Sequence, residues 1–119
     1  MIVYHVNKEK GVIVARFEGD FDYWKKSLEE MCYNICGGYN DSVHRIVWNI
    51  LIEYPNLTGK AKLHPNDTWN ESCGKMYAKK ALLDKWYRVK NRVLRKLKDR
   101  LYMDYQKVND RFAKKLFVE

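Results

Sequence analysis

Residues 75–119 contain no glycine and no proline. A stretch lacking both has no cheap left-handed turn and no helix stop, which excludes a loop-rich last third. Cysteine is scarce as well, with only Cys32, Cys36 and Cys73. An odd number argues against a disulfide framework. Cys32 and Cys36 are four apart, not the two-residue knuckle spacing of zinc sites. They could be drawn into a mixed site with Cys73 and His64, but small buried hydrophobes are the commoner role, so no metal is expected.

Long apolar runs are missing too. A membrane span needs roughly 18 residues, and the longest run, Ile46 to Ile52, is broken by Asn49. The N-terminus has neither a basic lead-in nor an apolar segment before a small-residue cleavage site. A cytoplasmic protein without a membrane partner is therefore expected. His64 and Asp67 flank a proline turn and could form an acid–base pair. However, no nucleophile, second carboxylate or glycine-rich phosphate loop accompanies them, and catalysis would require such partners. Asp67 reads better as a helix cap and His64 as a turn residue. No enzyme activity and no cofactor are expected.

What is present is a 119-residue chain with 46% apolar and 14% aromatic residues, enough for one domain with its own core. Its +8 net charge is unevenly placed: residues 75–119 hold 15 Lys/Arg against 5 Asp/Glu, residues 1–74 hold 8 against 10. Segregated charge of one sign points to an anionic partner. The chain divides into a small α+β body, 1–74, and a long basic amphipathic helix, 75–119, partly packed on it.

Alternation over Ile2–Val6 and Val12–Phe17, joined by a polar loop closed by Gly11, predicts a hairpin. Gly19-Asp20-Phe21-Asp22 offers a cap for a helix with Trp24, Leu28, Met31, Cys32 and Ile35 on one face, ended by Gly37-Gly38. Asp41 or Ser42 would cap a second helix. Its buried stripe would be Val43, Ile46, Val47, Ile50, Leu51 and Tyr54, with Pro55 as the stop. Thr58–His64 alternates again, with Gly59, Ala61 and Leu63 inward and Lys60 and Lys62 outward.

After the Pro65-Asn66-Asp67 turn, Asp67, Thr68 or Asn70 can cap the last helix, and Thr68-x-x-Glu71 fits a capping box. Gly74 inside that helix signals a close approach to the sheet. The expected fold is α+β: a three-stranded antiparallel sheet in the order β-β-α-α-β-α, with helices on one face and a long basic C-terminal helix.

A straight helix over 71–118 would be about 70 Å long, against a radius of gyration of about 13–14 Å for a compact chain of this size. It must kink near residues 103–110 and fold back, or project. Leu97, Leu101, Tyr105, Val108, Phe112 and Leu116 follow an 11-residue period, with Trp86 and Leu94 continuing it upstream. Such a stripe beyond the body needs a partner, so a homodimer through this helix is one expectation.

The string Gly59-Lys60-Ala61-Lys62-Leu63-His64-Pro65-Asn66-Asp67, followed by Gly74, Ala78 and Ala81-Leu82, resembles a signature of small uncharacterised phage and prophage proteins of Gram-positive bacteria. It is also similar to a bacterial domain of unknown function with a sheet packed on a helix. The resemblance spans about 25 residues and leaves out the basic tail. It implies the strand–turn–helix reading, a mobile-element origin and a host-cytosol location, with no established activity.

Lys79, Lys80, Lys85, Arg88, Arg92, Arg95, Lys96 and Lys98 spread over the expected solvent side of the last helix, with only Asp84 and Asp99 in that span. Lys60 and Lys62 could extend the field. So much positive charge costs self-repulsion with little intrahelical pairing in return. The expectation is a non-enzymatic protein contacting the phosphate backbone of DNA or RNA, or a nucleoprotein complex. Two alternatives stand beside it: a counter-defence inhibitor of a host nuclease complex, of anti-CRISPR type, and a self-assembling interaction protein.

Overall fold

The computed structural model describes residues 2–18, 21–64 and 66–118, without the side chains of residues 21, 22, 112 and 115–118. Strands β1 (Ile2–Asn7) and β2 (Val12–Phe17) form the hairpin, followed by helices α1 (Phe21–Ile35) and α2 (Asp41–Leu51), strand β3 (Thr58–Lys62) and helix α3 (Glu71–Val118). The sheet is antiparallel in the order β1-β2-β3. Its register aligns Ile2 with Phe17, Ala15 with Gly59, and Val14 with both His5 and Lys60.

Alternation sets the two faces of the sheet. Ile13, Ala15 and Phe17 are buried and Ile2, Tyr4 and Ala61 partly so, all against the helices. The opposite face carries Val3, His5, Val14, Arg16, Thr58, Lys60 and Lys62. Helix α3 lies directly on β2 and β3, α2 packs on α3, and α1 packs on α2. All three helices thus share one side.

Gly59 sets the distance between sheet and helix. A Cβ there would collide with the backbone of α3 at the Ala78 carbonyl and the Leu82 amide. A Cβ at Gly74 would meet only the tip of Ile13. Both glycines thus mark close approach of helix and sheet.

The cap of α2 differs from the expected pair, whereas that of α3 is one of the three residues expected. Asn40 caps α2, its Oδ1 accepting from the amides of Ser42 at 2.8 Å and Val43 at 3.4 Å. Asp41 and Ser42 therefore sit inside the helix. At α3, Asn70 Oδ1 accepts from the Cys73 amide at 3.1 Å, which displaces the Thr68–Glu71 box and Asp67 from that role. Asparagine serves because its short side chain reaches back to the free amides of the first turn. The expected Gly19-Asp20 cap lies outside the described residues.

The buried side of α1 is also rotated from the expected stripe. Lys25, Leu28 and Cys32 are buried, whereas Met31 and Ile35 are exposed. Trp24 stays half-buried by leaning on Phe17, with ring centroids 4.7 Å apart. The stripe of α2 buries Val43, Val47, Ile50 and Leu51 as expected.

Helix α3 is continuous over 48 residues. Ala78, Leu82, Trp86, Val89, Val93 and Leu97 form its buried row, and Leu97 is the last buried residue among those described. The remaining 21 residues project about 31 Å past the body. The molecule therefore measures 77 × 27 × 19 Å, with a radius of gyration of 21.0 Å. No helix among the described residues is long and apolar enough to cross a membrane.

Candidate nucleic-acid interface

At about 100° per residue, the azimuth of every α3 side chain follows from its position. Lys80, Arg88, Arg95 and Lys98 lie within about 50° of the line directly opposite the buried row. All four are exposed. Among the described residues, no carboxylate comes within ion-pair distance of any of them. They form a ridge about 27 Å long on the outer side of the body. Tyr87 and Tyr102 are exposed beside it, where an aromatic ring or a hydroxyl can meet a base or a phosphate. Lys79 and Lys96 are exposed nearer the edges of the buried row, again without a carboxylate partner.

Two of the expected contact residues are engaged inside the protein. Lys85 Nζ donates to the Thr58 carbonyl at 2.8 Å and ties α3 to the end of β3. Arg92 forms an ion pair with Glu53 and donates to the Tyr54 hydroxyl at 3.0 Å. The bonds to Tyr54 and Glu53 raise the guanidinium above its ordinary pKa. These two side chains pin α3 to neighbouring elements, because tertiary packing brings Thr58 and Glu53 beside a helix more than 25 residues away in sequence.

Lys60 and Lys62 do not extend the ridge. Their neighbour Gly59 faces α3, so alternation sends both lysines to the open face of the sheet. That face holds Arg16 as well, whose Nε donates to His5 Nε2 at 3.1 Å. The sheet itself separates this smaller cationic patch from the ridge on α3.

The expected self-association stripe also lies differently. Leu94 is only half-buried, and the row on the body runs through Ala78, Leu82, Val89 and Val93 instead. Beyond Leu97 that line of the helix continues as Arg100, Asp104, Lys107, Arg111 and Lys114. The apolar line Leu101, Tyr105, Val108, with positions 112 and 116 after it, is turned by roughly 110° from the buried row. Leu101 is 47% exposed and Tyr105 and Val108 are each 64% exposed. Arg100 pairs with Asp104 at 3.4 Å along the same helix.

A polar cluster that sequence reading missed joins α1 to α2. Tyr33 donates its hydroxyl proton to Glu29 at 2.8 Å and lies 3.1 Å from His44 Nδ1. Desolvation, followed by that hydrogen bond to Glu29, pushes the Tyr33 phenol well above its ordinary pKa. Residues 29, 33 and 44 meet only because α1 and α2 pack side by side. The cluster reads as a clamp between helices.

An open cleft of about 350 Å³ lies at the start of α3, walled by Gly11, Ile13, Ala61, Leu63, Trp69, Gly74 and Tyr77, with Lys62, Asp67, Thr68, Asn70 and Cys73 around them. His64 holds its own turn: its Nδ1 accepts from the Asn66 amide at 3.4 Å, and its carbonyl accepts from the Asp67 amide at 2.9 Å. No cluster of three potential metal ligands occurs among the described residues.

Burial sorts the three thiols. Desolvation, with smaller contributions from Cys36 and Glu29, raises Cys32 to about 11. Its thiolate at pH 8 is then on the order of one part in a thousand. Cys73 is exposed. Alkylation at pH 8 followed by mass spectrometry is expected to modify Cys73 within minutes and Cys32 only in denaturant. Equal labelling of both in the native protein would contradict the packing of α1.

Site and fold together define an α+β body with a projecting basic helix. In comparisons with family models, curated proteins and solved structures, nothing matches this chain.

Proposed function

We propose that this protein is a non-enzymatic nucleic-acid-binding protein that docks the outer ridge of α3 on a phosphate backbone. The observation that carries this reading is the ridge itself: Lys80, Arg88, Arg95 and Lys98 are exposed and lack carboxylate partners among the described residues. Leaving such charge unneutralised on one helix face costs self-repulsion, which an anionic partner removes. The ridge is straight, so it spans about 8 base pairs of a duplex or the equivalent length of a single strand. None of its side chains can be matched to a base edge, so the contact is to phosphate, with little sequence preference.

Four phosphate contacts give a salt slope of about −3.6, and affinity then falls roughly 10²-fold between 50 and 200 mM salt. Engaging Lys79 and Lys96 as well would steepen this toward 10³-fold. Fluorescence anisotropy with duplex DNA, single-stranded DNA and RNA at both salt concentrations checks the expectation. Absence of binding to all three at 50 mM would sink it. A tight partner recovered after nuclease treatment, with no nucleic-acid binding, would favour instead an inhibitor of a host nuclease complex.

A further inference from the structure

We propose that the part of α3 beyond Leu97 is a dimerisation arm, which pairs antiparallel with the same arm of a second copy of this chain. This is independent of whether the ridge binds nucleic acid. The first observation is the change of apolar face where the body ends. Up to Leu97 the apolar row points at the body, and past it the same line of the helix carries the charged residues Arg100, Asp104, Lys107, Arg111 and Lys114. A new apolar row begins roughly 110° away at Leu101. Its described members, Leu101, Tyr105 and Val108, are exposed. Because α3 is continuous, its own body cannot reach that row.

Spacing and charge identify the occupant and its direction. From position 101 to position 112 the apolar positions of the new row are separated by 4, 3 and 4 residues. That series reads the same from either end, with its centre between Tyr105 and Val108. Antiparallel pairing about the centre sets Tyr105 opposite Val108 and brings Leu101 level with position 112 of the other copy. It also brings Asp104, on one flank of the row, to the same flank as Arg111 of the other copy.

The row is short, so the contact lies at or below the lower end of specific interfaces and the dimer should depend on protein concentration. The two bodies then sit at opposite ends of the paired arms, with their ridges unobstructed.

Analytical ultracentrifugation of the full chain between about 1 and 100 µM is expected to show monomer converting to dimer. The double variant Leu101→Glu, Val108→Glu is expected to remain monomeric. It should keep the native near-ultraviolet spectrum, because all four tryptophans lie in the body. A spin label at Lys96→Cys, with Cys36 and Cys73 changed to serine, is expected to give a distance of about 30–35 Å in the dimer. A strict monomer at the highest concentration overturns the proposal. So does a dimer that survives the double variant. A label distance under about 20 Å overturns the antiparallel arrangement.

Discussion

Replacing Gly59 with alanine is expected to destabilise the protein by about 3 kcal/mol or more, lowering the melting temperature by roughly 10–15 °C. The new methyl would press on the backbone of α3 at Ala78 and Leu82, and no side-chain rotation can relieve a backbone contact. Helix and sheet must separate, which loosens Ala78 and Leu82 on one side and Ala15 on the other, all fully buried. Gly74→Ala is the control. Its methyl meets only the flexible end of Ile13, and alanine gains about 1 kcal/mol of helix propensity. The net change there is expected within about 1 kcal/mol. Thermal unfolding of the two variants by circular dichroism separates them. Equal melting temperatures would show that Gly59 does not set the helix–sheet distance.

Reversing two charges on the ridge, Arg88→Glu with Arg95→Glu, is expected to weaken nucleic-acid binding by roughly 10²-fold or more at 50 mM salt. Neutralising the same pair with glutamine should halve the salt slope, from about −3.6 to about −1.8. Both side chains are exposed, so stability should change by no more than about 0.5 kcal/mol. Two further pairs test the assignment of surfaces. Lys60→Gln with Lys62→Gln lies on the open sheet face and should leave the slope unchanged. Lys85→Gln with Arg92→Gln removes contacts to Thr58 and Glu53 and should act on stability, not on the slope. A slope that responds equally to all three pairs would mean diffuse attraction to the net charge, with no ridge.

Local pattern carried most of the fold. Alternation across Val12–Phe17 and around Gly59, and the stripe from Val43 to Leu51, each depend only on near neighbours in the chain, and each matches an element of the structure. The missing glycines and prolines of the last third correspond to one unbroken helix. Choices between near-equivalent residues were not legible. Asn40, Asp41 and Ser42 can all accept amide hydrogen bonds, and where the helix starts selects among them. The face of α1 that is buried depends on where α2 and Phe17 stand, which no periodicity contains.

The site was legible as a charge excess but not as a surface. Which lysines and arginines are free is decided by Thr58 and Glu53, residues 27 and 39 positions away from Lys85 and Arg92. The point at which the helix leaves the body was hidden for a related reason. Leu97 and Leu101 look equivalent in the apolar repeat, yet one is 4% exposed and the other 47%. Azimuth would have been the usable signal: four residues advance the helix about 40° past a full turn, so successive steps of four walk the apolar row off the body.

The seat of α3 on Gly59 also works as the fulcrum of a lever. Position 118 lies about 60 Å along the helix from Ala78, so a tilt of only about 5° on the sheet carries the tip sideways by about 5 Å. Small adjustments between β3 and the first turns of α3 are therefore magnified along the arm. Any partner held near the tip registers changes in the core that would be almost undetectable at the sheet itself.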